Sequence, residues 1–136
     1  MNPPRLDSPA AVETAFYHAF KAADITLMMS LWAPTNEILC VHPRSAALVG
    51  YQAIQQGWAH IFAGGPIQIE APLLHSHQDD HIAWHGIEER LTQVRGGLVT
   101  TLFASHLYVK TQEGWRLHLH HASPSAPIVS DAAKLH

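Results

Sequence analysis

A chain of 136 residues carrying a net charge of -3 has the length of one domain, 1–136, and its Lys and Arg are scattered singly, so nucleic acid is excluded as an expected partner. Charged residues make up 14% of it, against about 25% in an ordinary soluble protein, while apolar residues reach 47%; so little surface charge points to a face covered by a second copy. A single cysteine excludes an intrachain disulfide, the opening MNPPRLDSPA lacks the apolar core of a signal peptide, and no apolar run approaches the roughly 18 residues of a membrane span, so a soluble, cytoplasmic protein is expected.

Asp7 and Ser8 ahead of Pro9 make a cap and a first-turn proline, and Val12, Phe16, Ala19, Phe20 and Ala23 then recur at helical spacing. The pattern predicts a helix over Pro9 to Ala22. Asp24 caps a second helix, Ile25 to Trp32, apolar on more than one side and ended by Pro34. Glu37 to His42 reads as a short strand that buries Cys40 as an inert thiol in the run Ile38-Leu39-Cys40-Val41, and Pro43 to Val49 reads as a loop. Gly50 then precedes Tyr51, Ile54, Trp58, Ile61 and Phe62, a third helical stripe that Gly64, Gly65 and Pro66 stop.

From Pro66 the period shortens to two, and strands are predicted over Ile67 to His77, His81 to Val94, Leu98 to Lys110 and Trp115 to Ser123, the last pair joined by the turn Thr111 to Gly114. Strict alternation in the final strand puts Trp115, Leu117, Leu119, His121 and Ser123 on one face and Arg116, His118, His120 and Ala122 on the other. Helices followed by hairpin-connected strands give an α+β class: three N-terminal helices packed on a curved, mostly antiparallel sheet. The tail over residues 125–136 is expected to be loosely held or to cross a neighbouring subunit.

The order of elements, with Asp24 between the first helices, Trp32 closing the second and His42-Pro43 before Gly50, resembles the nuclear transport factor 2-like superfamily over about residues 9–124. This group includes SnoaL-like polyketide cyclases, ketosteroid isomerases and the association domain of calcium/calmodulin-dependent protein kinase II. The resemblance implies a cone-shaped, cystatin-like fold. Arg90-Leu91-Thr92-Gln93 and the strand Trp115-x5-His121-x-Ser123 are similar to stretches of the kinase association domain, which has a further His where Leu119 stands and an Arg where His106 stands. Against ketosteroid isomerase, the base falls on His42, the hydrogen-bonding Tyr of the first helix on Phe16 and the protonated Asp near His106. Phe16 donates no hydrogen bond, and an oxyanion hole short of one donor loses on the order of 10²–10³ in rate, so steroid isomerase activity is not implied.

Twelve histidines are an excess, and imidazole is the side chain whose unperturbed pKa suits proton transfer at neutral pH. His121, His106, His42 and Arg90 are the catalytic candidates: His121 or His42 as general base, Arg90 or His106 as electrophilic donor. Hydrogen-bonded packing is the structural alternative for each histidine, and an ion pair with Glu88 for Arg90. A ligand pocket is expected between the first and third helices and the sheet, lined by Tyr17, Trp32, Trp58, Arg90, His106, His121 and Ser123. The pairs His75/His77 and His118/His120 have ligand-like spacing, but no Cys or Asp/Glu cluster completes a set, so neither metal nor cofactor is expected. The resulting expectation is a SnoaL-like protein that binds a small molecule, as an isomerase, cyclase or hydrolase of a carbonyl or carboxylate compound, and dimerises through the outer sheet face. The alternative is a non-catalytic association domain like that of the kinase.

Overall fold

The computed structural model describes residues 6–92 and 97–131. The first helix, α1, runs Pro9–Ala22; the Ser8 hydroxyl accepts a hydrogen bond from Ala11 N at 3.1 Å, and Ala23 leaves the helix in a left-handed conformation. Asp24 caps α2, accepting from Leu27 N at 3.0 Å. That helix, Ile25–Ser30, is shorter than its apolar pattern. Its continuation is captured by the sheet: Leu31 O accepts from Leu117 N and Ala33 N donates to Leu117 O, so Trp32 lies as a bridge beside the last strand. The third helix, α3, spans Tyr51–Phe62.

Among the described residues, seven strands follow the helices or lie between them: β1 Leu39–Val41, β2 Leu48–Val49, β3 Gln68–Glu70, β4 Leu73–Gln78, β5 Ile82–Thr92, β6 Val99–Thr111 and β7 Gly114–Pro124. They form one sheet in the order β2-β1-β7-β6-β5-β3, with β4 on the same side of β5 as β3. Among the described strands the β1–β7 pairing is parallel and the others antiparallel, and the isolated bridge of Trp32 to Leu117 is parallel too. Two strands differ from the sequence pattern. Val49 pairs with Leu39, which turns the end of the expected loop into β2, and the expected strand Ile67–His77 breaks at Ala71-Pro72, since proline has no N–H to give a ladder. Gln93, Val94 and the tail residues 132–136 lie outside the described part of the chain.

The core joins large helical side chains to the inner sheet face. Phe16 and Phe20 of α1 and Trp58 and Phe62 of α3 pack edge-on or tilted with centroids 5.3–6.3 Å apart, in one buried cluster with Ala83, Ile87, Ala104, Tyr108, Leu117 and Ala122 of the sheet. Each such aromatic contributes on the order of 1.5–3 kcal/mol by burial, so the helix-to-sheet layer is what closes the cone.

A single irregularity decides which histidines enter this layer. Leu107 pairs with Leu119 while the next residue, Tyr108, pairs with Leu117, leaving His118 as an extra residue in β7. Such a bulge bends the strand and reverses its alternation. Trp115 and Leu117 face inward as expected; beyond the bulge it is His120 and Ala122 that are buried, and His121 is exposed. The expectation that Leu119, His121 and Ser123 line the interior is therefore corrected. His121 pairs with Ser105 and Ser123 with the exposed Phe103, both on the outer face.

Candidate functional site

On β5, alternation holds without interruption: Ala83, His85, Ile87 and Glu89 point inward and Arg90 points out. Arg90 is 44% exposed along its side chain and engages Glu88 through Nε and Glu70 through Nη1. It belongs to a surface ion pair and not to a pocket, which removes it as electrophile or carboxylate clamp. Glu89 takes the interior position instead. It is 1% exposed and accepts a hydrogen bond from the Tyr17 hydroxyl at 2.5 Å. The first helix thus does present a tyrosine to a carboxyl group, one residue after Phe16.

His106 on β6 and His120 on β7 are opposite partners in the ladder, and both are buried. Their rings are hydrogen-bonded, His106 Nε2 to His120 Nδ1 at 2.8 Å, and His106 Nδ1 is 2.7 Å from the Tyr108 hydroxyl. The Tyr17 ring stacks on that of His106 at 5.9 Å, and Phe16 meets His106 edge-on at 4.7 Å. Beside them His85 Nδ1 lies 2.8 Å from Glu13 Oε1 of α1. Of the expected pocket residues, Tyr17 and His106 meet in this packed interior, and Trp58 packs against His42 and His120; none of the three lines the open cleft beside His42. Trp32 is elsewhere, buried beside β7, and its Nε1, like that of Trp58, lacks a hydrogen-bond partner among the described residues.

Burial dominates the electrostatics of this interior. It lowers His106 to about 3, with the His85 ring adding to the shift, and it lowers His120 well below the usual imidazole range, reinforced by His106. Burial raises Glu89 to about 7 although the Tyr17 bond pulls the other way. Tyr17 is pushed up by burial and by Glu89. His106 and His120 are therefore neutral near pH 7, and Glu89 is poised between its two states.

His42 follows β1 and occupies the inner wall of an open cleft of about 640 Å³ between the segment His42–Leu48 and α3. Leu48, Ala53, Gly57 and Ile61 give the cleft its apolar wall, and Ser45, Gln56 and His60 its polar groups. The His42 ring packs edge-on against Trp58 at 4.5 Å and lies 6.0 Å from the His120 ring. Burial lowers its pKa to about 4. Cys40 Sγ is 3.5 Å from His42 Nε2, but burial holds the thiol protonated far above its usual range, as expected of an inert cysteine.

Sequence reasoning therefore missed His85, Glu89, Tyr108 and His120. The unbroken alternation of β5 carries the signal for His85 and Glu89. Nothing in β7 announces its extra residue. Of the ligand-spaced pairs, His75 and His77 stay together, exposed on β4, whereas the bulge parts His118 from the buried His120.

The family model described as a SnoaL-like domain matches residues 10–128. Among solved structures, a protein from Thiobacillus denitrificans, provisionally named as a calcium/calmodulin-dependent protein kinase type II association domain, is similar at 33% identity and TM-score 0.85, over 90% of this chain and 99% of that one. A protein of the NTF2-like family from Streptomyces avermitilis, provisionally named a dehydratase, is 24% identical at TM-score 0.76 over 87% and 94%. A ketosteroid isomerase-like protein from Erwinia carotovora atroseptica is 18% identical at TM-score 0.70 over the same shares of the two chains. No curated protein matches the chain.

Proposed function

The chain belongs to the SnoaL-like domain family, and we propose that it binds a small, largely apolar carbonyl compound in the cleft beside His42 and moves a proton on it. Isomerisation, cyclisation and dehydration of such compounds all begin with a base within reach of a carbon next to the carbonyl. One observation carries the reading: among the described residues, His42 is the buried imidazole that also lines the cleft. Leu48 and Ile61 would hold the hydrocarbon part, while Gln56 and His60 offer N–H groups to the carbonyl oxygen. The dehydratase and isomerase names belong to proteins that share the fold, so the activity stands on His42 and not on them.

The test is exchange of α-protons for deuterium, followed by NMR, across a panel of cyclic ketones and β-keto acids. Wild type should accelerate exchange for at least one class, and His42→Ala should lose on the order of 10²-fold or more of that rate while keeping its fold. Equal exchange by the two proteins would overturn the assignment.

A second reading, a non-catalytic association module, has its own support. Trp84 and Phe103 are exposed together over Gly86 on the outer sheet face, His75 stacks on Trp84 at 4.9 Å, and the 33% identical relative is named for association. A homodimer through that face would cover them. Light scattering of Trp84→Lys/Phe103→Lys against wild type decides it: the dimer reading requires the wild-type mass to be halved in the variant.

A further inference from the structure

Glu89, His106 and His120 come from three neighbouring strands, none lines the cleft, and their ligand atoms all lie within 4.8 Å of one another. We propose that these three side chains form an internal site for one divalent first-row transition-metal ion, bound by His106 Nε2, His120 Nδ1 and a Glu89 carboxylate oxygen.

Three features of the arrangement support this. The first is the spacing of the two nitrogens, 2.8 Å. Two imidazoles bound at about 2.0–2.1 Å to one ion stand about 2.9 Å apart at right angles and about 3.3 Å apart at the tetrahedral angle. The pair therefore fits adjacent corners of a five- or six-coordinate ion, and two histidines with one carboxylate suit iron(II), cobalt(II) or nickel(II) at such a site, with open positions left for water or a ligand.

The second feature is the outer layer. Ligating histidines are normally held by a hydrogen bond at their other nitrogen, and ligating carboxylates are hydrogen-bonded in turn. His106 has the Tyr108 hydroxyl at Nδ1, and Glu89 has the Tyr17 hydroxyl on Oε2. The third is charge. Among the described residues Tyr17 is the sole hydrogen-bond partner of Glu89, and no Lys or Arg is paired with it. A buried carboxylate is otherwise compensated by a cation or a metal.

The proton count closes simply. His106 keeps its proton on Nδ1, facing Tyr108, and frees Nε2 for the ion. In the metal-free protein His120 Nδ1–H donates to His106 Nε2; on binding, His120 moves that proton to its Nε2 and ligates through Nδ1, so the hydrogen bond between the rings is replaced by two metal–nitrogen bonds. Glu89 binds as the carboxylate and releases its proton if it held one. The cleft and the site adjoin at His42, whose ring is 6.0 Å from that of His120.

The site is independent of the reaction assigned to the cleft and is tested without it. Protein stripped with chelator is titrated with cobalt(II) alone and followed by visible absorption. Wild type should bind one equivalent with a saturable d–d spectrum. Tyr17→Phe and Tyr108→Phe, which touch only the outer layer, should weaken binding by on the order of 10–100-fold, and Glu89→Gln by more. His77→Ala, on the exposed edge strand, should change nothing. Imidazole ¹⁵N spectra of zinc(II)-titrated wild type provide a readout that survives misfolding of any variant: His106 and His120 should shift together at one equivalent. Absence of stoichiometric uptake by folded wild type, undiminished affinity in a folded Glu89→Gln, or shifts confined to exposed histidines would each overturn the site.

Discussion

The floor of the cleft makes a sharp test of its geometry at Gly57. A Cβ added there would lie 2.4 Å from Leu48 Cδ1, while the next atom, His42 Nε2, is 3.6 Å away. Non-bonded carbons rest at about 3.5–4.0 Å, so Leu48 must swing aside by roughly an ångström or more. Leu48 is half-buried at the edge of the open cleft and its Cδ1 is the far end of a flexible side chain, so it moves aside at about 0.5–1.5 kcal/mol, the cost of leaving a rotamer well. Against it, alanine is better than glycine inside a helix by about 0.8–1.0 kcal/mol. Gly57→Ala should therefore change stability by no more than about 1 kcal/mol in wild type. In a Leu48→Ala background the obstructing carbon is gone, and the same substitution should stabilise by the full helical term. Urea denaturation of the four proteins measures the difference, a coupling of about 0.5–1.5 kcal/mol at unchanged slope. If Gly57→Ala stabilises equally in both backgrounds, Leu48 does not lie over α3 at Gly57 and the cleft is wrongly drawn.

Two further outcomes follow from the interior. Deleting His118 removes the bulge but leaves Leu119, His120 and His121 opposite Leu107, His106 and Ser105, so the variant should keep cooperative unfolding and a dispersed amide spectrum, and His118→Ala, which keeps the bulge, should change stability by no more than about 0.5–1 kcal/mol; a deletion variant that loses cooperative unfolding would refute the bulge. In metal-free protein, stability should fall between pH 7 and pH 5. His42 and His106 are lowered to about 4 and about 3, so the unfolded chain takes up protons below pH 6.5 that the folded chain refuses, and by pH 5 the two rings together cost about 4 kcal/mol. Glu89 acts in the opposite sense: raised to about 7, it is protonated in the folded state while the unfolded carboxylate still ionises above about 4.5, which returns about 2 kcal/mol over the same interval. A urea midpoint that is flat or rises on acidification would contradict the net loss of about 2 kcal/mol.

The helices were legible because their signals are local. Ser8, Asp24 and Gly64-Gly65-Pro66 each act within a turn, and α1 runs Pro9–Ala22 as its spacing predicts. The second helix was read too long because the competition for Leu31 and Ala33 comes from Leu117, far away in the chain. The same distinction governs the site. Face assignment in a strand is local only while alternation is unbroken, which is why β5 yields Glu89 on inspection and β7 does not yield His120. Arg90 illustrates a different limit. Its charge suggested a ligand clamp, yet alternation from the buried Glu89 already puts it outside, beside Glu88 and Glu70.

The bulge also explains why so many polar groups tolerate the interior. With unbroken alternation from Leu117, β7 would turn Leu119 inward opposite His106 and His121 inward opposite Ala104, so neither ring would meet the other. The extra residue brings His120 directly opposite His106, where each ring supplies the other's hydrogen bond and Tyr108 closes the far end. A buried imidazole without a partner costs about 1–3 kcal/mol, so a one-residue insertion converts two such penalties into one satisfied pair. The carboxylate of Glu89, anchored from α1 by Tyr17, then completes a polar cluster inside an aromatic shell. Fold and candidate chemistry depend on the same local feature: the residue that bends β7 is the one that selects which histidine the cone encloses.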